Sequence, residues 1–139
     1  MIVLDTNVLI HAVHTGSAQH DRARGWLSQA AQQTELLGMP WVSLLGFIRI
    51  TTNGRLFTSP LTINEALDAV GGWLAHPRIT VAEPGPRHAE ILSRLLREDG
   101  AAGNLSTDAH IAAIAVEHDA RLASFDRDFQ RFGVELVLR

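Results

Sequence analysis

The sequence predicts a single α/β domain, residues 1–139, with a mostly parallel central sheet flanked by helices. Short apolar runs, typical of buried strands, alternate along the chain with longer amphipathic segments in the order β-α-α-β-α-α-β-α-α-β-β. This alternation favours a parallel sheet, because parallel strands need crossover connections and helices supply them. A chain of 139 residues is long enough to bury one core, and it contains no internal repeat or linker-like tract.

The first strand is predicted at Ile2–Leu4, an apolar run that suits a strand buried on both faces. Asp5 follows the carboxyl end of this strand, and Thr6 and Asn7, both helix-capping residue types, precede an apolar helix. In open α/β sheets, ligands bind at this edge, where strands end and helices begin. Asp5 either belongs to a binding site or only caps the helix, and this stretch alone leaves both interpretations open.

The middle of the chain is predicted to contain four helices and two strands. The helices are expected near residues 17–31 and at 42–52, 62–74 and 86–97, and the strands at 36–41 and 79–82. Ser43 is a candidate cap for the second of these helices. Thr62 and Glu65 have the spacing of a capping box, which marks the start of the third.

The last part of the chain is predicted to hold the most buried helix. Residues 104–118 are apolar nearly all round, which is typical of a central helix. A strand at 121–124, a tight helical turn at 125–132 and a final strand at 134–138 follow. The predicted sheet therefore has five strands.

Composition excludes several classes of site and of protein. Cysteine is absent, which rules out disulfides, thiolate metal sites and cysteine catalysis. No segment approaches the roughly 20 apolar residues of a membrane span, and the N-terminus lacks the pattern of a signal peptide. A cytoplasmic protein with no membrane contact is the simplest interpretation. The formal net charge of −3 gives no overall basic field to attract nucleic acid.

Three aspartates stand at the ends of predicted elements. Asp5 follows the first strand, Asp108 falls in the first turn of the central helix, and Asp126 follows the fourth strand. Each could be only a helix cap, but a parallel α/β topology can bring all three to one edge of the sheet. Clustered carboxylates repel each other, and hard divalent cations such as Mg²⁺ or Mn²⁺ relieve that repulsion. Such a site can hydrolyse phosphodiester bonds.

Three motifs together resemble the PIN-domain family, and more narrowly the VapC toxins of bacterial toxin–antitoxin pairs. They are the sequences IVLDTN at 2–7, DAHIAA at 108–113 and SFDRDF at 124–129. Residues 41–57 are similar to one VapC subgroup. The resemblance covers the whole chain and implies one PIN-like domain. It also implies an endoribonuclease that depends on Mg²⁺ (or Mn²⁺), acts on RNA, forms a homodimer and is neutralised by a VapB-type antitoxin.

The resemblance assigns roles to particular positions of this chain. The metal-binding and catalytic acids of the family match Asp5, Asp108 and Asp126. The polar residues beside the family's site match Thr6 and Ser124, and Asn7 lies next to Thr6 in the same motif. A common but less central acid matches Asp128. Two basic positions, Arg49 and Arg55, are candidate contacts for RNA or for the antitoxin, and Arg49 could instead neutralise the acidic cluster.

One position departs from the family's pattern. Many PIN domains carry a glutamate on the third helix where this chain has Gly46. Glycine supplies no carboxylate, so the site holds one metal ion or draws on Asp128 for completion. An alternative function follows, namely a catalytically weak or inactive PIN-fold module that binds RNA or acts as a regulator. A phosphatase of the haloacid dehalogenase type is a poorer match, because it needs a second aspartate where this chain has Asn7.

Overall fold

A five-stranded parallel sheet forms the centre of the computed structural model, which describes residues 1–100, 103 and 105–138. Each pair of neighbouring strands in it is parallel. The strands, in the spatial order β3-β2-β1-β4-β5, are β1 (Ile2–Leu4), β2 (Leu37–Gly38), β3 (Ile79–Thr80), β4 (Arg121–Ala123) and β5 (Leu136–Leu138). The predicted fold class, an α/β domain with a parallel sheet, is confirmed, although the strands are shorter than expected.

Six α-helices flank the sheet in the described part of the chain. They are α1 (Thr6–Val13), α2 (His20–Ala30), α3 (Trp41–Thr51), α4 (Ile63–Leu74), α5 (His88–Asp99) and α6 (Leu105–Glu117). A 3₁₀ segment, Arg127–Phe132, lies between β4 and β5. The helix predicted at 104–118 begins with Asn104, which lies outside the described residues. None of the described helices is both long enough and apolar enough to span a membrane.

The direction in which successive strands are added to the sheet reverses beside β1. From β1 the chain builds outward through β2 to β3, and it then returns to place β4 on the other side of β1. The carboxyl ends of β1 and β4 lie side by side, with Leu4 paired to Ala123, and the Asp5 N–H donates to the Ala123 carbonyl at 3.0 Å. Ligand sites of open α/β sheets form at such a reversal. The fold therefore brings the residues after β1 and β4 to the expected edge.

Two apolar clusters cover the two faces of the sheet. On one face, residues of α1 to α4 such as Leu9 and Phe47 are fully buried. On the other face, α6 packs between the sheet and α5, and its residues 111–115 are buried nearly completely. The all-round apolar pattern of this helix correctly predicted its central position.

The start of α3 differs from the expectation. Pro40, rather than Ser43, is the N-cap residue. The Ser43 hydroxyl is fully buried and donates to the carbonyl of Leu4 at the end of β1, at 2.8 Å. A buried carbonyl at a strand end needs a donor, and Ser43 fixes α3 against that edge of the sheet.

Candidate active site

Asp5 is a buried carboxylate at the N-cap of α1. Only 7% of its surface is exposed. Its Oδ1 accepts the Thr6 N–H at 2.7 Å, and its Oδ2 accepts the Ser124 hydroxyl at 2.7 Å. The pKa of Asp5 is raised to about 6. Burial is the main cause, the two hydrogen bonds partly offset it, and the charges of Asp108 and Asp126 add to the rise. Asp5 is thus a cap, as its local sequence allows, and among the described residues no cationic side chain lies within ion-pair distance of its carboxylate.

Ser124 connects Asp5 to the end of β4. Besides donating to Asp5, its hydroxyl oxygen accepts the N–H of Asp126 at 3.0 Å and the side-chain amide N–H of Asn7 at 3.2 Å. The Asn7 carbonyl oxygen accepts the Phe125 N–H at 3.2 Å. These bonds hold the N-terminus of α1 against the loop after β4, so the orientations of Asp5 and Asp126 are fixed together.

Asp108 and Asp126 approach the same place from two other elements. Asp108 lies in the first turn of α6 and is half-buried. Burial is the main cause that raises its pKa, and the negative charges of Asp126 and Asp128 add to it. Asp126 is the N-cap of the 3₁₀ segment, and its Oδ1 accepts the Asp128 N–H at 2.9 Å. Negative charge from three elements therefore converges on one region.

A cavity of about 800 Å³ opens at this edge of the sheet. Its polar wall includes Asp5, Thr6, Asn7, Arg49, Thr107, Asp108 and Asp126. Its apolar wall is formed by Ile10, Val42, Leu45, Ile48, Ile50 and Ile111. All three aspartates singled out from the sequence line it. Thr107 escaped the sequence reasoning, although its position next to Asp108 could have indicated it.

The structure does not place every candidate residue in the cavity. Asp128 is exposed and acts on Asp108 only through its charge. Arg55 lies in the exposed turn after α3 and is not part of the cavity lining. Arg49 does line the cavity, and in the described part of the chain no carboxylate lies within ion-pair distance of it. Neutralisation of the acidic cluster by Arg49 therefore has no direct contact to support it.

The carboxylates suit a hard divalent cation in their chemistry but do not form a ready-made cage. Among the described residues, no three acidic or histidine side chains lie in an arrangement that could already hold a metal ion. Like charges push carboxylates apart in the absence of a cation, and the raised pKa values of Asp5 and Asp108 have partly that origin. Oxygen donors that carry unneutralised charge are the ligands Mg²⁺ and Mn²⁺ prefer. The residues present therefore fit such an ion.

Gly46 lies beneath the N-terminus of α1. A Cβ atom at this position would be 2.9 Å from Thr6 Cγ2 and 3.0 Å from Thr6 Oγ1, closer than unstrained packing allows. The Thr6 side chain therefore occupies the space into which a side chain at position 46 would project. A glutamate here would require Thr6 to move, so in this conformation the cavity has no room for a fourth acid from α3.

Comparisons with known proteins bear on the whole chain. A profile of the PIN domain family matches residues 2–135. Ribonuclease VapC37 of Mycobacterium tuberculosis is 44% identical over 132 residues, which span 95% of this chain and 92% of that protein. Two solved structures share the fold, each with a TM-score of 0.72. One is VapC20 of Mycobacterium tuberculosis, described as a toxin that cleaves the sarcin–ricin loop, which is 18% identical with all of both chains covered. The other is VapBC2 of Rickettsia felis bound to a promoter DNA fragment, which is 17% identical with 99% of this chain and 98% of that chain covered.

Proposed function

The chain belongs to the PIN domain family, and from that premise we propose that it is a metal-dependent endoribonuclease, the toxin of a VapBC-type toxin–antitoxin pair. One observation carries the proposal: Asp5, Asp108 and Asp126, from three separate elements, converge on one cavity at the reversal point of the sheet. The relative VapC37, at 44% identity, is a ribonuclease by name. We further propose that residues 1–139 act as one domain and that RNA in the cytoplasm is the substrate.

In this proposal Asp5, Asp108 and Asp126 hold Mg²⁺ or Mn²⁺ and are the catalytic acids. An ion held there would supply Lewis-acid polarisation of the scissile phosphodiester and would offset the charge that develops on it during hydrolysis. The chain's own polar groups orient the acids. The Ser124 hydroxyl and the Thr6 N–H each bond one oxygen of Asp5, which holds the carboxylate in a single orientation.

Arg49 supplies a positive charge on the cavity wall. Its guanidinium has no carboxylate partner among the described residues, and a guanidinium matches the geometry of a phosphate group. We assign it to an RNA phosphate next to the bond that is cut. Arg55, outside the cavity, would meet only RNA or antitoxin that extends beyond it.

A VapB-type antitoxin is the proposed protein partner, since VapBC2 of Rickettsia felis is a toxin–antitoxin complex of the same fold. An apolar groove of about 290 Å³ between α1, α2 and α4, lined among others by Leu27 and Trp73, offers a surface for an antitoxin segment. Trp41 and Leu45 lie one turn apart on α3 and are 46% and 58% exposed. An exposed apolar stripe of this kind supports the expectation of a homodimer.

The proposal is tested by incubating purified, antitoxin-free protein with a mixed pool of structured RNAs in Mg²⁺, in Mn²⁺ and in EDTA. We expect cuts at discrete sites in either metal and none in EDTA. Asp5→Ala and Asp108→Asn should abolish cleavage. Asp68→Asn, which removes an exposed acid on α4, is the matched control and should cleave normally.

Two results would contradict the proposal. Full cleavage by a correctly folded Asp5→Ala protein would remove Asp5 from the catalytic site. RNA that is bound but intact in every lane would favour the alternative, a PIN-fold module that binds RNA without cutting it, and the missing carboxylate at Gly46 would be the reason.

A further inference from the structure

The ring of Phe125 is the centre of a small cluster at the edge of the acidic site. Phe125 follows Ser124, and its N–H is bound by Asn7, whose side chain also lines the cavity. His11 of α1 meets the ring edge-on, with centroids 5.2 Å apart and planes at 87°. The guanidinium carbon of Arg22, on α2, lies over the ring at 5.4 Å from its centroid. We call Phe125, His11 and Arg22 the Phe125 rim.

The Arg22 guanidinium is held in place by the ring rather than by an acid. In the described ranges the ion-paired arginines are Arg121, with Glu35, and Arg131, with Asp99, and no carboxylate lies within ion-pair distance of Arg22. A guanidinium over an aromatic face is oriented by cation–π attraction while its N–H donors stay available. Arg22 is therefore a pre-positioned cation whose donors can bind an external anion.

His11 braces the rim without adding charge to it. Its Nδ1 is hydrogen-bonded to the Ser17 hydroxyl at 2.5 Å, and its backbone carbonyl is bonded to His20 Nδ1 at 2.9 Å. Burial, followed by the neighbouring His14, lowers the pKa of His11, so its ring is mainly neutral near pH 7. The positive charge of the rim is thus that of Arg22.

The position of the rim relative to the acids indicates a ligand. The carboxylates alone would repel a nucleic acid strand, and the net charge of −3 gives no general attraction, so local cations must provide it. Arg49 lines the cavity from α3, whereas Asn7 both lines the cavity and bonds to Phe125, over whose ring Arg22 of α2 lies. Helix α1 packs against both α2 and α3, so an RNA strand at the acids has one arginine available from each of these two helices.

We propose that Arg22, held over Phe125, binds a backbone phosphate of single-stranded RNA next to the phosphodiester at the acidic cavity. This inference rests on the proposed ribonuclease function and adds a substrate contact to it. The contact is to phosphate, so it strengthens binding for all RNA sequences and does not select among them. It assigns Phe125 and His11 as positioning residues, because they touch Arg22 or its platform rather than the substrate.

The test compares Arg22→Ala with Arg94→Ala in an Asp108→Asn background that leaves RNA uncut. Arg94 is the matched control: it is exposed on α5, on the opposite face of the sheet, and like Arg22 it has no carboxylate within ion-pair distance among the described residues. Binding of a short fluorescein-labelled single-stranded RNA of mixed sequence is measured by anisotropy at several salt concentrations. Cleavage by the parent protein is measured alongside, and melting temperatures check that every variant is folded.

We expect Arg22→Ala to weaken binding about three- to tenfold and to lower the slope of log K against log salt by about 0.7, the value for one phosphate contact on a single strand. Arg94→Ala should change neither quantity. Arg22→Lys keeps the charge but loses the fork of donors, so it should bind more tightly than Arg22→Ala and keep a slope near that of the unsubstituted background. If the wild type cleaves RNA but the two alanine variants weaken binding equally or not at all, the Arg22 contact is overturned and the ribonuclease function stands. If the wild type neither binds nor cleaves RNA, both the Arg22 contact and the ribonuclease function are overturned.

Discussion

Gly46 shows how one missing side chain determines the form of the site. Thr6 of α1 lies so close to Gly46 of α3 that a Cβ at residue 46 would be 2.9 Å from Thr6 Cγ2. Thr6 is also the residue whose N–H binds Asp5. The absence of a side chain at Gly46 leaves room for Thr6 in this position, and the Thr6 N–H helps to orient Asp5. A glutamate at position 46 and Thr6 in its present position are therefore incompatible, because the Cβ of the glutamate would crowd the Thr6 side chain.

Gly46→Ala is expected to destabilise the protein by about 1–3 kcal/mol, the usual cost of overpacking, even though alanine is the better helix former. Gly71→Ala, on the exposed face of α4 with open space at its Cβ, should instead stabilise by up to about 1 kcal/mol. Thr6→Ala removes both crowding atoms, so the double variant should recover part of the loss. Urea unfolding of the wild type and the four variants measures this coupling, and a Gly46→Ala variant as stable as Gly71→Ala would disprove the packing argument.

At the scale of the element, the structure shows which helix boundaries and buried faces follow from the local sequence. The helix α4 begins at the capping box of Thr62 and Glu65, both halves of which form, and α6 is buried as its apolar pattern indicated. The N-cap of α3 was predicted wrongly because the Ser43 hydroxyl donates a hydrogen bond to the carbonyl of Leu4, outside its own helix. Local patterns predicted the existence of elements, whereas a hydrogen bond across 39 residues was beyond them.

Ser43→Ala is expected to cost about 1–2 kcal/mol of folding stability, because the Leu4 carbonyl loses a buried donor. Alanine's better helix propensity offsets part of the loss. Ser28→Ala, at an exposed position inside α2, is the matched control and should be neutral or slightly stabilising. Thermal or urea unfolding gives both values. If the two variants behave alike, the bond between Ser43 and Leu4 contributes nothing measurable.

At the scale of the whole molecule, the sheet order explains why the sequence indicated the acids but not their surroundings. The alternation of elements predicted a parallel sheet, and the reversal beside β1 brings Asp5 and Asp126 to one edge. Which side chains of α3 and α6 would reach that edge depends on helix rotation and packing. Only its position next to Asp108 could have indicated Thr107, and Asp128 and Arg55, both within stretches that resemble the family, lie outside the cavity lining.

The raised pKa values of Asp5 and Asp108 predict how the stability of the whole protein depends on pH and on metal binding. The pKa of Asp5 is raised from 3.8 to about 6 in the folded state, so between these values the folded protein binds more protons than the unfolded chain. Stability from this group is therefore complete below about pH 4 and is lost as the pH rises through about 6, a loss of about 3 kcal/mol. Asp108 contributes in the same direction. His11 and His110, whose pKa values are lowered, act in the opposite direction.

Asp5→Asn isolates the effect of Asp5 from the histidines, because they are common to both proteins. In EDTA, the melting temperature of the wild type relative to Asp5→Asn should fall as the pH is raised from about 4 to about 7. Saturating Mg²⁺ at pH 7 should raise the melting temperature of the wild type and leave Asp5→Asn nearly unchanged, since a cation that binds ionised Asp5 replaces the proton. A difference in melting temperature between the two proteins that does not vary with pH would show that the pKa of Asp5 is not raised. An equal response of both proteins to Mg²⁺ would show that Asp5 does not bind the ion.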